Sequence, residues 1–167
     1  MCHPAIVGRR LDRPVINLGF SGNGTMDQSI SDLLVEIDAA VYVIDCLPNM
    51  TAAQVAERTA PLVKTIRKAR PNTPILLVED RSYTDSDFVK AHRERNETSR
   101  AALMTEYKKL KAEGMAGLYY LEGESQLGDD GEGAVDGSHP TDLGFMRMAD
   151  VFTPAISAAI GGAPASR

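Results

Sequence analysis

At 167 residues the chain has the size of one domain and can bury one substantial core. A hydrophobic share of 43% and a charged share of 25% are ordinary for a globular protein, and a net charge of -5 without any basic tract argues against nucleic acid or an anionic membrane as main partner. Two cysteines, Cys2 and Cys46, make no disulfide framework; no apolar run is long enough to span a membrane, and the N-terminus lacks a signal-peptide layout.

Pro4 to Leu11 reads as the end of a helix, with Arg9 and Arg10 suited to its C-terminus. Pro14–Gly19, apolar between breakers, reads as a buried strand, and Phe20 to Gly24 as a glycine-bearing turn. A helix over about 25–37 places Met26, Ile30, Leu33, Leu34 and Ile37 on one face. Ala39–Asp45 is a second strand, apolar on both faces as parallel strands covered by helices are. Cys46 at its end reads as a small buried hydrophobe. A helix follows from Thr51, with Gln54 completing a capping box, to about Ala69; Pro61 is its weak point.

Pro74–Asp80 is the third strand. A long charged helix over about 86–112 turns Phe88, Leu103, Tyr107 and Leu110 inward, and Gly117–Leu121 is the fourth strand. An acidic, glycine-rich loop runs from Glu122 to Gly137, and a last helix over about 141–160 is expected to kink or restart at Pro154. Residues 1–160 form one domain and 161–167 a fraying tail. The strand–helix alternation implies an α/β fold: a three-layer, flavodoxin-like parallel sheet with helices on both faces. Ligands bind beyond the carboxyl ends of such strands, so the loops 21–24, 47–49, 79–83 and 122–139 are expected to share one rim.

Those loops hold the candidate chemistry. Asp136 and His139 can form a pair in which the carboxylate fixes the imidazole tautomer and leaves one nitrogen as general base. Read alone, Asp136 is equally a turn cap and His139 a surface residue ahead of Pro140. The Gly22 N–H and the Asn49 amide can each donate to a developing oxyanion, or simply serve tight turns. Ser21, Asn23, Pro48, Glu79 and Arg81 stand on the same rim as substrate contacts. A metal-dependent hydrolase built on His3, His92 and His139 is a remote third reading, because no paired ligand spacing appears; no metal or cofactor is expected.

In combination, strand-FSGNG-helix, strand-DCLPN-helix and a late DGSHPTDLGF resemble the SGNH (GDSL) hydrolase superfamily, matching its second, third and fifth blocks over essentially the whole chain. Glu79–Tyr83 and Gly128–Gly133 look like a bacterial esterase-like subgroup. The resemblance implies Asp136 and His139 as triad acid and base, and Gly22 and Asn49 as oxyanion hole. It implies acyl or acetyl esters, carbohydrate esters among them, as substrates of a metal-free serine acyl-enzyme route. The third block keeps only its asparagine. The first block, Gly-Asp-Ser, which carries the nucleophile, is absent; in the family it follows a strand ahead of Pro14, and a βαβ unit takes about 30 residues. Ser21 and Ser138 do not stand where the family nucleophile lies.

The chain therefore reads either as an N-terminally incomplete esterase or as a catalytically inactive binding or interaction domain. Without its central neighbour the Pro14–Gly19 strand is expected to lose its partner, pair with Ala39–Asp45, or borrow a strand, which would favour a homodimer through the open sheet edge. As written the chain reads as cytoplasmic, with secretion open to a longer one.

Overall fold

The computed structural model describes residues 2–161, so the expected tail lies outside the described residues beyond Gly161. Among these residues nine elements follow in order: helices α1 (His3–Leu11) and α2 (Gln28–Leu34), strand β1 (Tyr42–Ile44), a 3-10 turn (Leu47–Asn49), α3 (Ala52–Ala69), β2 (Ile75–Val78), α4 (Lys90–Ala112), β3 (Leu118–Leu121) and α5 (Asp142–Ala159). The sheet is parallel in the order β1-β2-β3, with Tyr42 opposite Ile75 and Ile75 opposite Leu118.

Strand β2 shows why the fold has three layers. Ile75, Leu76, Leu77 and Val78 are all buried, and the two-residue period of a strand sends them alternately to opposite faces. Ile75 and Leu77 join Val55, Leu62, Val63 and Ile66 of α3 and Leu103 and Leu110 of α4. Leu76 and Val78 join Ile6 and Val7 of α1 and Met148, Phe152 and Ile156 of α5. Helices on both faces of a parallel sheet are the architecture that the alternation of elements implies.

Local chemistry sets where α3 and α5 begin. The Thr51 hydroxyl accepts from the Gln54 N–H at 3.3 Å while the Gln54 side chain accepts from the Thr51 N–H at 2.9 Å, closing the expected capping box. Thr141 caps α5 by accepting from the Gly144 N–H at 3.1 Å. Pro61 and Pro154 both sit inside unbroken helices. Both lie on exposed faces, where water can serve the carbonyl that each proline leaves without a donor.

Three expectations are corrected. Pro14–Gly19 is not a strand but an exposed, irregular segment, with Ile16 64% exposed. Its apolar pattern suits a sheet, yet none of the described strands lies beside it, and a strand without a ladder partner has no hydrogen bonds to hold it. Helix α2 is shorter than expected: Met26 has a positive φ of 55° outside it, and Leu33 faces solvent. Helix α4 begins at Lys90, and Phe88 is 92% exposed rather than inward, because residues 83–89 are taken up by turns that close Ser86 onto Tyr83 and Val89 onto Asp85.

Among the described residues no helix is long and apolar enough to cross a membrane. The Cys46 thiol, partly buried beside Asp45, is pushed up to about 12 by desolvation first and the carboxylate second, which leaves it inert as a nucleophile.

Candidate active site

Three loops leave the carboxyl ends of the strands, as the parallel sheet requires: 47–49 after β1, 79–89 after β2 and 122–141 after β3. The last of them closes on itself through a bridge between Ala134 and Pro140 and through the Val135 N–H, which donates to the His139 carbonyl at 2.8 Å. Gly137 turns the loop with φ +90°, a conformation that side chains with a Cβ rarely adopt. Within it Asp136 holds three donors. One carboxylate oxygen accepts from the backbone N–H groups of Ser138 (3.1 Å) and His139 (2.8 Å), and the other lies 2.7 Å from His139 Nδ1. The backbone donation from His139, then the bond to its ring, holds this carboxylate well below the ordinary range. Asp136 is thus an anion that favours the Nδ1–H tautomer of His139 and leaves Nε2 as the nitrogen to take a proton. The ring is 77% exposed, open to a substrate.

Asn49 stands in the 3-10 turn after β1, positioned by Leu47, which is fully buried, and by Arg95, whose guanidinium donates to the Pro48 carbonyl at 2.6 Å. Its amide donates to the Gly24 carbonyl at 3.4 Å, so the structure joins Asn49 to the second loop at Gly24, two residues past Gly22. Gly22 has φ +87° and open space where a Cβ would stand: its glycine serves the turn, and its N–H lies ahead of α2 rather than within that helix's first turn. Asn23 folds back on the same turn, donating to the Phe20 and Ser21 carbonyls. Ser21, at φ +49°, is exposed beside it.

Glu79 lies beneath the rim rather than on it. It is buried, accepts from the Tyr120 hydroxyl at 2.6 Å and from the Gly123 N–H at 2.9 Å, and has Arg100 at 3.5 Å. Arg81 is buried as well, and its guanidinium runs to the Asp136–His139 loop. Nε donates to the Ser138 carbonyl at 2.5 Å and a terminal nitrogen donates to the Ser138 hydroxyl at 3.1 Å. Ser138 therefore turns its hydroxyl to Arg81. The third loop is in this way tied to the end of β2, and each histidine keeps its own carboxylate: His3 with Asp45, His92 with Asp85, His139 with Asp136. Among the described residues no group of three or more histidines, cysteines or carboxylates is placed to hold a metal ion.

A polar face of α4 was missed. Asn96, buried, accepts from the Tyr83 N–H and donates to Asp80 and to the Arg81 carbonyl; Arg100 donates twice to the Asp80 carbonyl. The signal was present: Asn96, Ser99, Leu103 and Leu110 follow one another at spacings of three, four and seven residues on the buried stripe, and a polar residue on such a stripe needs partners. A hollow of about 650 Å³ between Tyr107, Tyr120, Val151 and Pro154 is lined by none of the candidate site residues.

Below the rim, His3 packs on Phe152 with ring centres 4.8 Å apart, and its Nε2 lies 3.6 Å from Asp45. Burial shifts both groups toward neutrality: His3 falls from 6.5 to about 4, with Arg81 adding to the effect, and Asp45 rises from 3.8 to about 6. The consequences for stability oppose each other. Asp45 alone would make stability fall as pH rises from about 4 to about 6, because the folded state keeps a proton the unfolded chain has lost; His3 alone would make it rise between about 4 and 6.5. The wild-type profile is therefore expected to be nearly flat there. Asp45→Asn removes one slope, and denaturation across that range should show the variant gaining stability with pH. It should end about 2–3 kcal/mol above wild type at pH 7, since each tenfold change in proton affinity is worth about 1.4 kcal/mol. A variant no more stable than wild type at pH 7 would contradict the buried-acid assignment.

Residues 1–157 match the model of the GDSL-like lipase/acylhydrolase family. A protein designated a GDSL-like lipase from Bacteroides ovatus ATCC 8483 superposes with a TM-score of 0.91 at 35% identity, over 95% of this chain and 47% of its own. The salicylyl-acyltransferase SsfX3 from a tetracycline biosynthetic pathway gives 0.79 at 18% identity, over 98% and 50% of the two chains. An active-site mutant of a family two carbohydrate esterase from Clostridium thermocellum gives 0.74 at 16%, over 96% and 54%. The last two likenesses are of fold. The chain spans about half the length of these structures. No curated protein matches it.

Proposed function

Because the chain belongs to the GDSL-like lipase/acylhydrolase family, we propose that it carries the acid–base and oxyanion parts of a serine ester hydrolase acting on acyl or acetyl esters, carbohydrate esters among them. The observation that carries this reading is the 2.7 Å pairing of His139 Nδ1 with a carboxylate kept ionised by two backbone donors. In this mechanism His139 Nε2 takes the proton of a serine hydroxyl as its oxygen bonds to the acyl carbon. The carbonyl oxygen gains negative charge and accepts from the Gly22 N–H and the Asn49 amide. Collapse breaks the bond to the alcohol, which leaves with the proton from His139. Water then attacks the acyl-enzyme with the same base, releasing the acid. The names of the similar folds fit acyl transfer from or to oxygen: one is an acyltransferase, another a carbohydrate esterase.

The serine is proposed to reside on polypeptide outside these residues, seated against the edge of β1 that has no strand partner among the described residues. That edge could instead pair two copies of the chain, which sedimentation at rising concentration distinguishes. The other reading, a binding domain without turnover, is favoured by the engagement of the Ser138 hydroxyl with Arg81. Hydrolysis of an aryl acetate by this chain and by His139→Ala separates the two. In the chain without that serine, His139 Nε2 draws its proton from water attacking the activated ester directly, so a slower variant is expected, by up to the about 10²–10⁴-fold that general-base assistance contributes; equal rates reject a catalytic role for His139 in this chain.

A further inference from the structure

A second imidazole–carboxylate pair abuts the first. His92 Nδ1 lies 2.7 Å from an oxygen of Asp85, and the His92 ring stacks on Tyr83 with centres 4.3 Å apart and planes at 25°. Asp85 in turn stands over Gly137, the residue that follows Asp136. A Cβ built on Gly137 would meet the two Asp85 carboxylate oxygens at 2.9 and 3.0 Å. The neighbouring Thr84 N–H donates to the Gly137 carbonyl at 2.9 Å. The 136–139 loop is thus held at Gly137 by Thr84 and Asp85, and at Ser138 by Arg81.

From this arrangement we propose that Asp85 and His92 are positioning residues for the base. His92 fixes the Asp85 carboxylate against Gly137, and Asp85 holds the Gly137 peptide in the orientation that lets Asp136 accept from the Ser138 and His139 N–H groups and bind His139 Nδ1. Neither residue touches the reacting atoms. With Asp85 free to swing, the Gly137 peptide can rotate, its positive φ no longer enforced from above. The Asp136 carboxylate then loses the geometry that keeps the proton on Nδ1 of His139. Glycine at 137 has two reasons to be there: the left-handed φ and the close approach of Asp85.

The inference rests on the proposed role of the Asp136–His139 pair, and the test separates the two. It is ¹⁵N NMR of the histidine rings in the 167-residue chain, with amide hydrogen exchange at Gly137, Ser138 and His139. Wild type should show His139 mainly as the Nδ1–H tautomer; the opposite tautomer there would overturn the acid–base reading itself. His92→Ala should shift the tautomer ratio at least threefold toward Nε2–H and speed exchange at the three amides. His92→Gln, which keeps a donor for Asp85, should restore both. Asp85→Asn, which keeps the shape but weakens the clamp, should fall between, and it serves as the decisive variant if His92→Ala does not fold. A wild-type tautomer that stays unchanged in the folded His92→Ala or Asp85→Asn chain overturns the positioning role alone.

Discussion

Replacing Arg81 by alanine should cost about 3–5 kcal/mol of stability at neutral pH, the usual consequence of leaving a buried charge without its partner. The charge left behind is that of Asp80, which is 1% exposed, and whose Oδ1 has no hydrogen-bond partner among the described residues and lies 3.8 Å from the Arg81 guanidinium. Burial already pushes the Asp80 carboxyl upward, with Arg81, Arg95 and Arg100 pulling the other way. Without Arg81 the carboxyl should rise further. A group whose folded pKa is raised destabilises the fold most at high pH, so the deficit of Arg81→Ala should shrink as pH falls and Asp80 takes a proton. Adding Asp80→Asn should recover part of the loss at pH 7. The measurement is the urea midpoint of each chain; a loss below about 1 kcal/mol would show that Asp80 is already neutral without help. The same variant frees the Ser138 carbonyl and hydroxyl, loosening the His139 loop.

Gly123→Ala should be nearly as severe, for a steric reason. A Cβ there would stand 2.0 Å from the Asp80 carbonyl oxygen and 2.6 Å from an Arg100 nitrogen that bonds that same oxygen at 2.8 Å. The carbonyl stands two residues past β2, held by two donors from Arg100, and cannot yield alone, and Gly123 is itself tied down through its N–H to Glu79. Forcing a methyl into this contact should cost about 3 kcal/mol, the upper part of the usual overpacking range, or roughly 6–12 °C in Tm for a domain of this size. A Tm within about 2 °C of wild type would mean that β2 and β3 separate at their ends with little resistance.

Both substitutions strike the layer between the sheet and the rim, and this layer was the least legible part of the chain. The apolar runs of β1, β2 and β3 and the stripe of α3 announce themselves by period, because burial of one face imposes the spacing directly. The Thr51 and Thr141 caps are equally local, each closed within three residues. Asp136 and His139 were readable for the same reason: their bond spans a single loop turn. Glu79 and Arg81 were readable as polar residues after β2, expected on the rim, but not as buried ones. Their partners, Gly123 and Ser138, lie 44 and 57 residues away, and no local pattern encodes such pairs.

The amino-acid sequence by itself determined the α/β class, the helices and strands of the three layers, the family and the Asp136–His139 pair, since periodicity, capping and short loops act over a few residues. Only the tertiary structure decided that Pro14–Gly19 stays out of the sheet, because a strand exists by virtue of its neighbour. It likewise decided that α4 supplies the buried polar frame of Asn96 and Arg100, and that His92, through Asp85, comes to bear on the loop of His139. Those contacts join segments distant in the chain, and packing alone brings them within hydrogen-bond reach.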